Sequence, residues 1–154
     1  VLIIDDEPGI RSFLQKGMQK RFGLVELAED IPTAIALTER CNFDLIIADI
    51  RLPGQSGVEW VTQIREQGST TAVIFITAHA SVDTAIEALR AGAADFILKP
   101  FRMEQIMASV ERCVERQQLQ RENVVLRRQV EQLHDSGMVG HHSDQWHVSH
   151  SPAD

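Results

Sequence analysis

"VLIIDDEPG", residues 1–9, sets four apolar residues directly before three acids, Asp5, Asp6 and Glu7, and then a Pro–Gly pair. An apolar run this short, stopped by turn-forming residues, reads as a strand buried on both faces. Adjacent carboxylates at its end repel one another strongly wherever water is partly excluded. Either they are solvated and idle, or a cation sits among them.

Working outward, the same pattern recurs. "LVELA" (24–28), "DLIIAD" (44–49), "VIFIT" (73–77) and "DFIL" (95–98) are strand-like in length, and all but "LVELA" are expected to be buried on both faces. Helical patterns fill residues 10–21, 31–41, 58–67 and 82–91 between them. Strand alternating with helix five times implies right-handed crossovers and an α/β fold with an open, doubly wound parallel sheet.

Ligands of such sheets gather beyond the carboxyl ends of the strands, where the strand order reverses. That rule brings to one edge Asp5 and Asp6 from the first strand, Asp49 from the third, Thr77 from the fourth and Lys99 from the fifth. A lone strand-end Asp is ordinarily a turn or cap residue. Five such groups in this order make a candidate site. Its carboxylates suit a hard divalent cation, Mg²⁺ first.

Beside such a cation, a carboxylate at Asp49 can attack phosphorus and form an acyl phosphate. The equatorial oxygens then need their charge offset, which the cation, the Lys99 ammonium and the Thr77 hydroxyl can supply. The product carries about two negative charges, enough to draw Thr77 inward and leave a space behind it. Phe96, before Lys99, is placed to fill that space, although its spacing alone favours plain core packing.

The totals are consistent with this picture. A chain of 154 residues suits one domain with an appendage, and 44% hydrophobic with 24% charged residues is ordinary for a soluble globular protein. A net charge of −7 argues against nonspecific nucleic-acid binding, which needs a basic surface. Cys41 and Cys113 form no C-x-x-C pair, so reduced thiols in a cytoplasmic protein are expected. No apolar run approaches the roughly 20 residues that span a bilayer. No signal peptide is visible, and the missing initiator Met suggests a trimmed start.

"IIDDEPG", "LIIADIRLPGQSGVEW", "VIFITAHAS" and "AGAADFILKPF" resemble the landmark segments of the receiver domain of bacterial two-component response regulators, over residues 1–114. The resemblance implies a flavodoxin-like (βα)5 fold and makes Asp49 the acceptor of a phosphoryl group from a partner sensor histidine kinase. It implies Mg²⁺ held by the side chains of Asp6 and Asp49 and by the backbone carbonyl of Arg51, with Asp5 acting through water. Thr77 and Lys99 match the pair that contacts the phosphoryl group, and Phe96 matches the switch aromatic, here without a Tyr hydroxyl. A cis Lys99–Pro100 bond is also implied. Arg51 and His79 stand where the family varies its dephosphorylation rate, although a plain surface-loop role is the simpler reading of His79. On this reading the chain is a signalling module, not a turnover enzyme; its chemistry is confined to phosphorylation and autodephosphorylation of Asp49.

Residues 103–133 contain no Pro or Gly and form one helical pattern, a rod of about 45 Å at 1.5 Å per residue. Ile106, Val110, Cys113 and Val114 share the face of its first half. Beyond Gln117 the stripe changes phase. Leu119, Asn123, Leu126, Val130 and Leu133 follow a four-three-four-three spacing, a coiled-coil seam with one polar member. Only about two heptads are present, so a solvated helix is the competing reading. Paired side by side, two copies would form a homodimer.

"LQRENVVLRRQVEQL" followed by "MVG" resembles the connector of NtrC-type transcription activators, which joins the receiver to an AAA+ ATPase acting on sigma-54 polymerase. No G-x-x-x-x-G-K-[ST] loop and no helix-turn-helix pattern follows. The chain is therefore expected to be an amino-terminal piece that lacks the ATPase and DNA-binding domains and itself binds neither nucleic acid nor membrane. The expected organisation is a receiver over 1–115, a connector over 116–134 and a disordered tail over 135–154. His141, His142, His147 and His150 make only a weak metal-ligand set in that tail. Two other functions compete. One is a Mg²⁺-dependent phosphatase with an Asp nucleophile, although such enzymes present Asp-x-Asp after the first strand whereas here the pair is contiguous. The other is a dimerisation module indifferent to phosphorylation.

Overall fold

The computed structural model describes residues 1–79 and 81–135, with side chains through residue 132; the expectation for the His-containing tail falls outside the described residues. Five strands, β1 (Leu2–Ile4), β2 (Glu26–Ala28), β3 (Leu45–Asp49), β4 (Ala72–Thr77) and β5 (Asp95–Leu98), alternate with α1 (Pro8–Gln19), α2 (Ile31–Arg40), α3 (Gly57–Glu66), α4 (Val82–Arg90) and α5 (Met103–Asp135). Every pairing is parallel, in the order β2-β1-β3-β4-β5. The fold is the expected flavodoxin-like one. Strand order reverses between β1 and β3, so the crevice of this sheet opens beside the residues that follow those two strands.

Local chemistry sets the element ends. Asp30, Ser56 and Ser81 cap α2, α3 and α4, their side chains accepting from the N–H groups of Thr33, Val58 and Thr84. Helix α1 begins at Pro8, earlier than the apolar pattern from residue 10 indicates, because proline's fixed φ suits a first helical turn.

Strand side chains alternate between two buried layers. Leu2, Ile4, Ile46, Ala48, Val73 and Phe75 join one cluster with α2, α3 and α4, through residues such as Leu37, Trp60 and Ala88. Ile3, Ile47, Ile74 and Ile76 face the other way, where Leu14 and Met18 of α1 and Ile106 and Val110 of α5 are also buried. The expectation that "DFIL" would be covered on both faces needs correction. β5 is an edge strand paired only with β4, and its Leu98 is 49% exposed.

The chain divides into two compact units between Cys113 and Val114, each considered by itself. In the first, α5 buries Ile106, Ser109, Val110 and Cys113. Ser109 Oγ donates to Asp95 Oδ2 at 2.6 Å, and Arg112 reaches the same oxygen at 2.8 Å. In the second unit, Leu119, Asn123, Leu126 and Val130 are all exposed. No helix among the described residues is long and apolar enough to cross a membrane.

The Asp95 contacts carry a prediction. Burial works to raise the Asp95 carboxyl, but bonds from Ser109, the Phe96 N–H and Arg112 outweigh it and hold it below its usual range. A lowered native value means that this stabilisation is full above 3.8 and is lost as pH falls through the native value. Ser109→Ala should therefore cost about 1–2 kcal/mol at neutral pH. In urea titrations, the gap from the parent chain should narrow in the acid range. An unchanged gap there would show that Ser109 contributes packing and not a charge-assisted bond.

Candidate functional site

The site grows from the end of β1. The Asp5 N–H donates to Ala28 O at 3.1 Å, continuing the ladder beyond Ile4. Its carboxylate then turns the chain into α1, with Oδ1 accepting from the Glu7 N–H at 2.8 Å. Arg11, one turn into α1, donates to the Asp5 carbonyl at 2.7 Å. Asp5 is thus fixed by backbone and side chain, while its second oxygen, Oδ2, is buried and turned to the Lys99 ammonium.

Asp49 closes β3 on the neighbouring strand. Its Oδ1 accepts from the Arg51 N–H at 3.1 Å and its Oδ2 from Lys99 Nζ at 2.8 Å. Lys99, after β5, is held by its own N–H on the Thr77 carbonyl at 2.8 Å, and the peptide bond to Pro100 is cis, as the resemblance implied. The ammonium lies 2.9 Å from Asp5 Oδ2, 2.8 Å from Asp49 Oδ2 and 3.3 Å from Glu7 Oε1. Lys99, Asp5 and Asp49 have buried side chains; Glu7 is exposed at the rim.

Electrostatics follow from this crowding. Burial pushes the Asp5 carboxyl above its usual range, and the charge of Asp49 adds to that; the Glu7 N–H and Lys99 offset part of the rise. For Lys99 burial acts to lower the pKa, but close contacts with Asp49 and Asp5 and their charges outweigh it and raise the ammonium above its ordinary value.

Asp5, Asp6, Glu7 and Asp49 each present a carboxylate oxygen, all within 4.8 Å of one another. Four carboxylates against one ammonium leave excess negative charge. The donor set is all oxygen, and the buried Asp5 Oδ2 shares with Asp49 a single ammonium, that of Lys99. These features fit a hard divalent cation.

The other expected residues take distinct places. Asp6 is exposed beside the cluster. Arg51 leaves β3 and forms an isolated bridge with Ser56, its side chain in solvent. Thr77 ends β4 one residue beyond the partner of Asp49; its buried hydroxyl accepts from the His79 N–H at 3.2 Å. Phe96 is partly buried against the core cluster under α2, α3 and α4. His79 is an exposed loop residue.

Three residues of the site had no role in the sequence reading. Glu7 was visible as a third acid, but its contact with Lys99 spans 92 positions. Arg11 carried no signal beyond lying one turn into a helix. Gly57 lay just outside the helix expected over 58–67, yet a Cβ there would collide with the carbonyl oxygen of Asp49. Glycine lets α3 begin against the backbone that aims Asp49.

Known proteins resemble this chain in sequence and fold. The chain is 34% identical over 122 residues to the regulatory protein AtoC of Escherichia coli, covering 79% of this chain and 26% of that protein. It is 34% identical over 140 residues to the C4-dicarboxylate transport transcriptional regulatory protein DctD of Pseudomonas aeruginosa, covering 88% of this chain and 29% of that one. The chain thus spans little more than a quarter of these curated relatives. Among solved structures, the beryllofluoride-activated NtrC4 receiver domain dimer superimposes with a TM-score of 0.69 at 32% identity, over 75% of this chain and 95% of that one. Residues 1–111 match the family model described as response regulator receiver domain, and the chain belongs to that family.

Proposed function

We propose that Asp49 is the phosphoacceptor of this receiver, loaded by a sensor histidine kinase. The supporting observation is the meeting of Asp5, Asp49 and Lys99 from three strands at the switch point, with the ammonium 2.8 Å from the acceptor carboxylate. An Asp49 oxygen attacks phosphorus in line. The bond from phosphorus to the donor's imidazole nitrogen breaks, and the electron pair leaves with the imidazole, which then takes up a proton. Lys99 already faces the acceptor oxygen, so its ammonium meets charge growing on the phosphoryl oxygens without travelling far. Thr77, on the adjacent strand, exchanges its loop partner His79 for a phosphoryl oxygen. Asp6, Asp49 and the Arg51 carbonyl, with Asp5 through water, would hold Mg²⁺, which supplies positive charge to a phosphoryl oxygen when bound.

The added charge shifts a two-state equilibrium in which Phe96 is the moving aromatic. Residues 1–115 act as the receiver and 116–134 as the connector, through which two copies associate. The whole protein would be a sigma-54-type transcription activator whose ATPase and DNA-binding domains lie beyond this chain. The similarity to AtoC and DctD supports that reading, and the NtrC4 dimer supports association.

Labelled acetyl phosphate tests the chemistry. The chain should take up one phosphoryl group in a Mg²⁺-dependent, hydroxylamine-labile form. Uptake that persists in EDTA, or none at all, would overturn the reading.

A further inference from the structure

We infer that Glu7 is a place-holder: its carboxylate occupies on Lys99 the position that a phosphoryl oxygen takes during transfer, and so restrains phosphorylation of Asp49. The inference rests on the phosphoacceptor reading above and adds a residue that tunes it. An ammonium has three N–H donors and no acceptor. Around Lys99 Nζ stand three carboxylate oxygens, Asp49 Oδ2 at 2.8 Å, Asp5 Oδ2 at 2.9 Å and Glu7 Oε1 at 3.3 Å. Three acceptors face three protons, and none is left over for an incoming anion. A phosphoryl oxygen reaches the ammonium only by displacing one of the three.

Glu7 is the one that yields. Asp5 Oδ2 is buried, and without the ammonium its charge would be left uncompensated. Asp49 keeps its negative charge until its bond to phosphorus forms, so its claim on Lys99 lasts through the approach. Glu7 has the longest contact and its side chain is 59% exposed, so water replaces Lys99 at little cost. Local structure points the same way. Glu7 is the N-cap of α1, yet its side chain makes no cap hydrogen bond. Its N–H donates to Asp5 Oδ1 at 2.8 Å, and its carbonyl accepts from the Arg11 N–H at 3.1 Å. The backbone is thus pinned on both sides, and the side chain alone is left to swing between Lys99 and solvent. Glu7 acts through Lys99 and is a positioning residue, not a reacting one.

Uptake from labelled acetyl phosphate tests this in the full chain, each variant at saturating Mg²⁺ fixed by its own calorimetric titration. The affinity for beryllofluoride as a phosphoryl mimic, followed by fluorine NMR, reads the same exchange without chemistry. Glu7→Ala removes charge and contact together. Glu7→Asp keeps the charge, but its stem is about 1.5 Å shorter and falls short of Lys99. Both variants should raise the uptake rate and tighten beryllofluoride about threefold to fivefold, the scale of one exposed ion pair. In a Lys99→Met background, Glu7→Ala should gain nothing in beryllofluoride affinity. A gain that persists there, or one shown by Ala and not by Asp, overturns the inference, since Glu7 would then act by its charge on the donor. The Ala and Asp comparison decides alone where the Lys99→Met chain is too unstable to assay. Variants that match the parent or fall below it also overturn the inference, and leave Asp49 as the acceptor. A parent chain that takes up no label overturns the phosphoacceptor reading, and the inference with it.

Discussion

Asp49→Asn should abolish phosphoryl uptake, lowering it by about a thousandfold or more, and leave the fold within about 1 kcal/mol of the parent. The two effects separate because the role proposed for Asp49 is chemical and not one of packing. An amide nitrogen or oxygen at that position is no nucleophile toward phosphorus. Asn keeps an oxygen able to accept the Arg51 N–H, and Lys99 retains Asp5 at 2.9 Å. The lost attraction between Asp49 and Lys99, 2.8 Å apart, is set against relief from the carboxylates of Asp5, Asp6 and Glu7, each with an oxygen within 4.8 Å of one on Asp49. One close attraction and several slightly longer repulsions are of similar size at the same effective dielectric, so they largely cancel. Uptake of label and urea titration measure the two halves independently. Label remaining on the Asn chain would move the acceptor to Asp5 or Asp6. A loss of stability of about 3 kcal/mol or more would make Asp49 a structural residue instead.

Asp5 and Asp49 were legible in the sequence because each ends an apolar run, and the switch-point rule turns strand ends into neighbours. What escaped the sequence depended on facts that local pattern does not contain. "DFIL" is as apolar as "VLII", so nothing in it announces an edge; only the pairing order leaves β5 with one neighbour and exposes Leu98. Ser109 interrupts the apolar face of α5, and it makes physical sense only once Asp95 lies 2.6 Å away. Gly57 is read locally as the residue after a Ser cap, whereas its constraint comes from the Asp49 carbonyl. Glu7 illustrates the same limit: its charge is printed in the sequence, but its partner stands at the other end of the domain. Contacts between strand ends follow from topology, whereas contacts set by the path of a loop or the face of a helix need the fold itself.

Lys99→Met should destabilise the chain by about 3–5 kcal/mol at neutral pH when divalent cation is absent, as removing one partner of a buried ion pair does. Among the described residues Lys99 is the one cation ion-paired with the carboxylates of Asp5 and Asp49, and both carboxylates are buried. Methionine fills the same channel with a stem of similar length, so packing changes little while two negative charges lose their counter-ion. The pH dependence should follow in sign. Asp5 already sits above its ordinary value of 3.8 in the parent, and removing the ammonium raises it further. For an acid with a raised native value, the fold is free of the charging penalty below the unfolded value and loses stability as pH rises through the native one. Lys99→Met should therefore approach the parent in acid and diverge from it on the way to neutrality. Millimolar Mg²⁺ should restore part of the loss, because a cation among the four carboxylates replaces the missing charge and binds only the folded state. Phosphoryl uptake should stay low even with Mg²⁺, since a methionine thioether cannot meet the charge that grows on the phosphoryl oxygens. Urea titrations across pH, with Mg²⁺ and with EDTA, measure all of this. If the variant is equally destabilised at every pH and Mg²⁺ leaves it unchanged, Lys99 acts by shape alone, and the electrostatic account of the corner fails with it.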